Sequence, residues 1–220
     1  MREGMFQWII AGVASLVLAA TLHAGGWAIV TVRDLPEYAV AGKPFQLAFM
    51  VRGHGIEPLD GLEPKITATS AGSVVKASAV ATKKTGEYAA TLALPRAGTW
   101  RIQIAGTIDD LTLPGLTVIA PASSPPPPLS QAAFGRRLFV AKGCIGCHTN
   151  REVETEILAG IGPDLTGKRF PEAYLKSLLA DPKSAFASPR TDSNWEMPNL
   201  GLTKSEIAAL TAFMNRERPR

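Results

Sequence analysis

The spacing of apolar residues divides the chain into two regions. From residue 27 to residue 119, short runs alternate apolar and polar positions with a period of two, which is typical of β-strands. Turns containing glycine and proline separate these runs. The pattern predicts an all-β sandwich over residues 25–120. Its core is expected to come from three alternating sets: Phe45, Leu47, Phe49 and Val51; Tyr88, Ala90 and Leu92; and Trp100, Ile102 and Ile104.

After residue 130 the apolar residues recur every three or four positions, which indicates helices. Thr203 and Glu206 have the spacing of a capping box at the start of the last predicted helix. A shorter helix is predicted near residues 171–182. The pattern predicts an all-α region over residues 130–220. The buried stripe of its last helix should consist of Ile207, Leu210, Phe213 and Met214.

Between these regions, residues 121–129 contain four consecutive prolines. Such a run favours an extended polyproline II conformation, which predicts a semi-rigid linker that keeps the two domains apart.

At the other end, an apolar stretch from Met5 to Leu22 predicts that residues 1–24 form a signal peptide or an N-terminal membrane anchor. Residues 5–26 are long enough for membrane anchoring, whereas the most apolar part is shorter than a membrane span. Both alternatives imply export.

The net charge is only +4, with acidic and basic residues interspersed, so the sequence gives no indication of nucleic-acid binding. Four basic residues of the C-terminal region have two possible roles: they either steer an acidic redox partner or are simply solvated. They are Lys142, Lys168, Arg169 and Lys176.

Residues 144–148 read CIGCH, the attachment signature of a c-type haem. Cys144 and Cys147 can form thioethers with the haem, and His148 can bind the iron. A thioredoxin-like redox pair would not require His148. A zinc site of the finger type would need four ligands, and the chain has only two cysteines. The motif therefore predicts one covalent haem c.

The sixth iron ligand is expected to be Met197. Of the three histidines, His23 lies in the leader and His54 lies far upstream of the motif. Among the five methionines, Met197 alone lies in a loop of turn-forming residues between the cysteines and the last helix. The alternative is that Met197 only fills a gap in the core.

Together these motifs resemble those of a class I monohaem cytochrome c over residues 129–220. The resemblance places Gly135 and Phe139 where the first helix crosses the last. It also implies that the Pro163 carbonyl, in GIGPDLTG, accepts the proton of His148. Trp195 either donates its indole N–H to a haem propionate or packs beside the haem.

Residues 25–120 resemble the YtkA-like immunoglobulin-type domains of bacterial extracytoplasmic proteins, on the segments LPEYAVAGKPFQLAFMVRGHG and GEYAATLALPRAGTWRIQI. Met50 and His54, four residues apart, would suit copper if they shared a strand face, but two ligands are too few for a site. Docking or spacing is the expected role of this domain.

The combined expectation is an exported electron-transfer protein, not an enzyme, at the periplasmic or outer face of the cytoplasmic membrane. Its expected partners are redox proteins, in particular a respiratory or photosynthetic membrane complex. Two alternatives stay open: a haem enzyme or ligand sensor with an open sixth position, and a metal-delivery or assembly factor that uses the β domain.

Overall fold

The structure is a computed structural model that describes residues 27–153, 161–185 and 196–217. Its described part contains a β domain followed by a helical domain. The strands are β1 (Ala28–Val32), β2 (Tyr38–Val40), β3 (Pro44–Gly53), β4 (Glu57–Pro58), β5 (Lys65–Ser70), β6 (Ser73–Ser78), β7 (Val80–Ala81), β8 (Glu87–Ala93), β9 (Gly98–Ala105), β10 (Leu111–Thr112) and β11 (Leu116–Ile119). The helices are α1 (Gln131–Ala141), α2 (Glu172–Ala180), α3 (Pro182–Ala185) and α4 (Lys204–Asn215).

The strands form two sheets. One has the order β1-β3-β8-β7, with β4 paired to β3. The other has the order β2-β11-β9-β5-β6, with β10 paired to β9. The pairs are antiparallel except that β2 runs parallel to β11. The expected all-β region is therefore present.

The predicted alternation is also correct, because its apolar sets line one hydrophobic core between the sheets. Nearly all of their members are buried, and Phe45 packs partly buried against the core. Two large polar aromatic residues are accommodated through hydrogen bonds. Tyr88 donates its hydroxyl to the Leu59 carbonyl at 2.7 Å, and the Trp100 indole donates to the Arg96 carbonyl at 2.9 Å. These bonds offset the cost of burying the polar ends of both side chains.

Helices α1 and α4 pack against each other at a point where Gly135 leaves no room for a side chain. A Cβ on Gly135 would overlap the Ala209 carbonyl and lie 2.8 Å from the Phe213 Cβ. The rings of Phe139 and Phe213 lie 5.7 Å apart at the same contact. The expected helix crossing is therefore confirmed.

The capping box of α4 is also confirmed. The Thr203 hydroxyl accepts from the Glu206 N–H at 3.3 Å, and the Glu206 carboxylate accepts from the Thr203 N–H at 2.9 Å. The Ile207, Leu210, Phe213 and Met214 stripe is buried, as predicted.

The prediction that the proline-rich linker keeps the two domains apart is wrong. Residues 121–129 contain no helix or strand, but strand β1 packs directly against Gly143, in the turn that follows α1. Lys142 donates to the Arg33 carbonyl at 2.7 Å. Arg137 donates to the carbonyls of Glu37 at 2.9 Å and Pro36 at 3.2 Å. An extended linker allows this contact because it constrains the local chain path and not the return of one domain onto the other.

Candidate haem-attachment site

The CIGCH motif forms a compact turn directly after α1. Gly143 has a φ of 76°, in the left-handed region, and ends the helix. A 3-10 turn follows over Cys144–Gly146, in which the His148 N–H donates to the Cys144 carbonyl at 2.8 Å. Both cysteines and the histidine are therefore presented by one turn of backbone.

His148 is oriented by the chain opposite it. Its Nδ1 lies 3.1 Å from the Pro163 carbonyl oxygen, as expected, and the Gly162 N–H donates to the Cys147 carbonyl at 2.8 Å. A Cβ on Gly162 would lie 2.6 Å from the imidazole Cε1, so only glycine allows this approach. Burial lowers the pKa of His148, although the bond to Pro163 acts in the opposite direction. A lowered pKa favours the neutral ring. In the tautomer that carries its proton on Nδ1, that proton is donated to the Pro163 carbonyl and Nε2 is available as a ligand atom.

The two cysteines are partly buried, and their thiols have raised pKa values. Burial raises the pKa of Cys144 to about 12 and that of Cys147 to about 11. A thioredoxin-like cysteine needs a lowered pKa to supply a thiolate near neutral pH. The two cysteines are free in the structure, and the described residues contain no group of three or more His, Cys, Asp or Glu that could hold a metal ion. Neither the redox-pair nor the zinc alternative therefore finds support.

Met197 lies in the loop before α4 and packs partly buried against the hydrophobic core. The loop is held on the helical side by the Asn199 amide, which donates to the Ala180 carbonyl at 3.4 Å. An ion pair of 3.6 Å also joins Glu196 to Lys183. On its other side, the loop borders a cavity of about 110 Å³ that it shares with Arg52, Gly55 and Ile56 of the β domain. Trp195 lies outside the described residues.

Of the basic residues considered for partner steering, Lys142 does not have the expected position. It is 5% exposed, and its ammonium group lies 2.6 Å from the Glu206 carboxylate. Lys142 therefore joins α1, α4 and the β domain, and it cannot attract a partner from solution. Lys168, Arg169 and Lys176 are exposed, and Lys176 is paired with Glu172. No local sequence signal distinguishes Lys142 from these three, because its partners are distant in the chain.

Met50 and His54 do not share a strand face. Strand β3 ends at Gly53, and His54 follows in a turn with a φ of 51°. Met50 is buried, whereas His54 is exposed. The break in the strand ends the alternation on which the copper hypothesis depended.

Comparison with known proteins bears on the helical domain. Residues 132–216 match the family model described as cytochrome c. The match covers less than half of the chain and includes Cys144, Cys147, His148, Pro163 and Met197. It supports a cytochrome c domain, for which haem binding and electron transfer are the characteristic functions.

The other comparisons add no functional information. No curated protein matches the chain. Among solved structures, domains 4 and 5 of the S-layer protein SbsC match with 12% identity and a TM-score of 0.34, over 44% of this chain and 54% of that one. The superoxide reductase (neelaredoxin) of Ignicoccus hospitalis matches with 16% identity and a TM-score of 0.29, over 45% of this chain and 86% of that one. The chain thus spans about half the length of the first of these, and both likenesses are too weak to carry an argument.

The residues of the cytochrome c domain fit a covalent haem c. Cys144 and Cys147 lie on one turn and are otherwise unbonded. His148 has one ring nitrogen engaged and the other available, and its ring packs closely against Gly162. Met197 supplies a thioether sulfur from the loop before α4. A haem held by His148 and Met197 would have both axial positions filled, as in an electron carrier.

Proposed function

We propose that this protein is an exported monohaem c-type cytochrome that transfers electrons. One haem c would be attached through Cys144 and Cys147, with His148 and Met197 as the axial ligands. The observation that carries the proposal is the 3.1 Å contact between His148 Nδ1 and the Pro163 carbonyl oxygen. The turn that presents His148 also presents both cysteines. The family match over residues 132–216 supports the same function.

The chain's own residues would act by orientation and exclusion of water. By accepting a hydrogen bond from Nδ1–H of His148, the Pro163 carbonyl would fix the tautomer and leave Nε2 to bind the iron. As an axial ligand, the Met197 thioether would be a soft donor that favours reduced iron and raises the reduction potential. The bound haem would supply a one-electron couple between ferric and ferrous iron. No substrate bond needs to form or break.

Location and partners form the second part of the proposal. The expected location is the periplasm or the outer face of the cytoplasmic membrane, with a membrane respiratory or photosynthetic complex as redox partner. Support comes from the apolar leader, which lies outside the described residues. Among the described residues, the structure has no helix that is long and apolar enough to span a membrane.

We further propose that residues 25–120 belong to the immunoglobulin-like type that the sequence resembles. Two sheets with mainly antiparallel pairing around one core support this assignment.

Purification from native membranes, followed by identification of the proteins that remain bound, tests the partner proposal. Recovery of the protein without any redox protein from mild detergent extracts would count against a stable complex.

The central test concerns the haem and Met197. The protein is produced in cells that attach haem c, and the denatured chain should show haem-linked peroxidase staining on a gel. Met197→Ala should abolish the sulfur-to-iron absorption band of the oxidised protein in the red and lower its reduction potential. Met50→Ala is the matched control, because Met50 is buried in the other domain. Absence of staining would refute haem attachment, and an unchanged band and potential in Met197→Ala would refute the ligand assignment.

A further inference from the structure

Strand β1 is buried on both faces, although the opposing sheet of the sandwich can cover only one of them. Ala28, Val30 and Val32 belong to the core between the sheets. Ile29 alternates with these residues and is also buried, at 4% exposed. Its side chain therefore needs a covering from outside the β sandwich.

The haem-attachment turn provides that covering. A Cβ on Gly143 would overlap Ile29 Cγ2 and lie 2.7 Å from the Val30 carbonyl oxygen. A Cβ on Gly146 would lie 3.5 Å from Ile29 Cγ1. These two glycines immediately precede Cys144 and Cys147. Ile29 thus packs against the backbone that carries both thiols.

The same isoleucine supports a turn that reaches the Met197 loop. The turn follows β3, and its backbone is closed by the Ile56 N–H, which donates to the Gly53 carbonyl at 3.0 Å. Within this turn, the Cβ position of Gly55 lies 3.1 Å from Ile29 Cδ1 and 3.5 Å from Pro198 Cγ. Pro198 is the neighbour of Met197. One continuous set of contacts therefore runs from the cysteine turn through Ile29 and Gly55 to the loop of the sixth ligand.

The orientation of the two domains is held by directional hydrogen bonds as well as by packing. Arg137 and Lys142 donate to three carbonyl oxygens in the segment after β1, those of Arg33, Pro36 and Glu37. Both cations belong to the cytochrome c domain: Arg137 lies within α1, and Lys142 follows it directly. Such bonds restrict rotation of one domain on the other, so the Gly55 turn stays against Pro198.

We propose that the β domain holds the Met197 loop in place, with Ile29 and Gly55 as positioning residues that restrain the sixth iron ligand. This inference rests on the proposed haem function for its spectroscopic consequence, but the restraint of the loop is independent of it. The β domain is accordingly a structural part of the haem site. Loosening the contact should let Met197 leave the iron more often, and an external ligand should then compete more successfully.

Two matched pairs of variants test the proposal in the full-length holoprotein. Ile29→Ala is paired with Ile66→Ala, because both side chains are buried in the β domain but Ile66 belongs to the core between the sheets. Gly55→Ala is paired with Gly42→Ala. Both glycines have a φ of 75°, but nothing lies within 4 Å of the Cβ position at Gly42. General destabilisation or backbone strain should therefore affect both members of each pair.

Imidazole affinity of the ferric protein is the first measurement. Ile29→Ala and Gly55→Ala should bind imidazole about tenfold more tightly than wild type, whereas Ile66→Ala and Gly42→Ala should bind it like wild type. The second measurement is hydrogen–deuterium exchange of residues 196–201, which should be faster only in the first member of each pair. This readout needs no assumption about the ligand.

The outcomes separate the two proposals. If the wild-type protein lacks the sulfur-to-iron band, the ligand assignment fails, and loop exchange still decides whether the β domain restrains the loop. If each variant matches its control in both imidazole affinity and loop exchange, the positioning role is wrong.

Discussion

Removal of the Lys142 ammonium group should destabilise the protein far more than removal of an ordinary surface lysine. Lys142 has 7% of its side chain exposed and Glu206 has 13%, with 2.6 Å between the charged atoms. The same ammonium donates to the Arg33 carbonyl at 2.7 Å. Lys142→Met keeps the apolar stem but leaves a nearly buried carboxylate and a carbonyl without this donor.

The expected cost follows from that geometry. Breaking a buried ion pair by removing one partner costs about 3–5 kcal/mol. Glu206 keeps its hydrogen bond from the Thr203 N–H at 2.9 Å and some contact with water, which favours the lower end of the range. The lost bond to Arg33 adds about 1 kcal/mol. We expect Lys142→Met to lower the free energy of unfolding by about 4 kcal/mol.

Chemical denaturation, followed through the haem absorption of the holoprotein, measures this cost. Lys183→Met is the matched control, because its ion pair with Glu196 is 3.6 Å long and its side chains are 79% and 66% exposed. The control should cost less than about 1 kcal/mol. In addition, Lys142→Met combined with Glu206→Gln should be more stable than Lys142→Met alone, because no charge is left buried. Equal costs for the two lysine variants would refute the buried-pair reasoning.

Two further predictions concern the helical domain. Gly135→Ala should lower the melting temperature, because the new Cβ would overlap the Ala209 carbonyl, and overpacking of this kind costs about 1–3 kcal/mol or more. A higher melting temperature, which the better helix propensity of alanine alone would produce, would contradict the close crossing. Asp164 has a pKa below its usual value of 3.8, mainly through a side-chain hydrogen bond from Thr166. The resulting stabilisation is present above pH 3.8 and is lost as the pH falls through the lowered pKa. Because Thr166→Val removes the hydroxyl donor, it should raise the pKa of Asp164 in an NMR titration. An unchanged pKa would count against the hydrogen bond.

Much of the architecture could be predicted because its signals are local. A period of two gave the strands of the β domain, and the spacing of Thr203 and Glu206 gave the start of α4. The CIGCH motif predicted that the two sulfur atoms and the imidazole lie close together. Its first and last residues are only four positions apart, so one turn of backbone keeps them near each other. The resemblance to cytochromes c then placed Pro163 next to His148, as the structure shows.

The contact between the domains was missed, although one signal for it was present. Strand β1 reads AIVTV, and all five residues are buried. A continuous apolar run, as opposed to an alternating one, is typical of a strand that is covered on both faces. The proline run favoured separated domains because it reports only on local stiffness. Lys142 was misplaced for a similar reason, since its partners Arg33 and Glu206 are far from it in the chain.

The sequence by itself determined which donor groups are present: two thiols, an imidazole and a thioether in an order and spacing that suit one haem c. These features depend on residue type and short-range geometry, which the order of amino acids specifies directly. Tertiary structure alone decided that the β domain covers the cysteine turn and reaches the loop of Met197. Such contacts depend on which buried surfaces fit together across about a hundred residues of chain, and this fit is settled only when both domains pack.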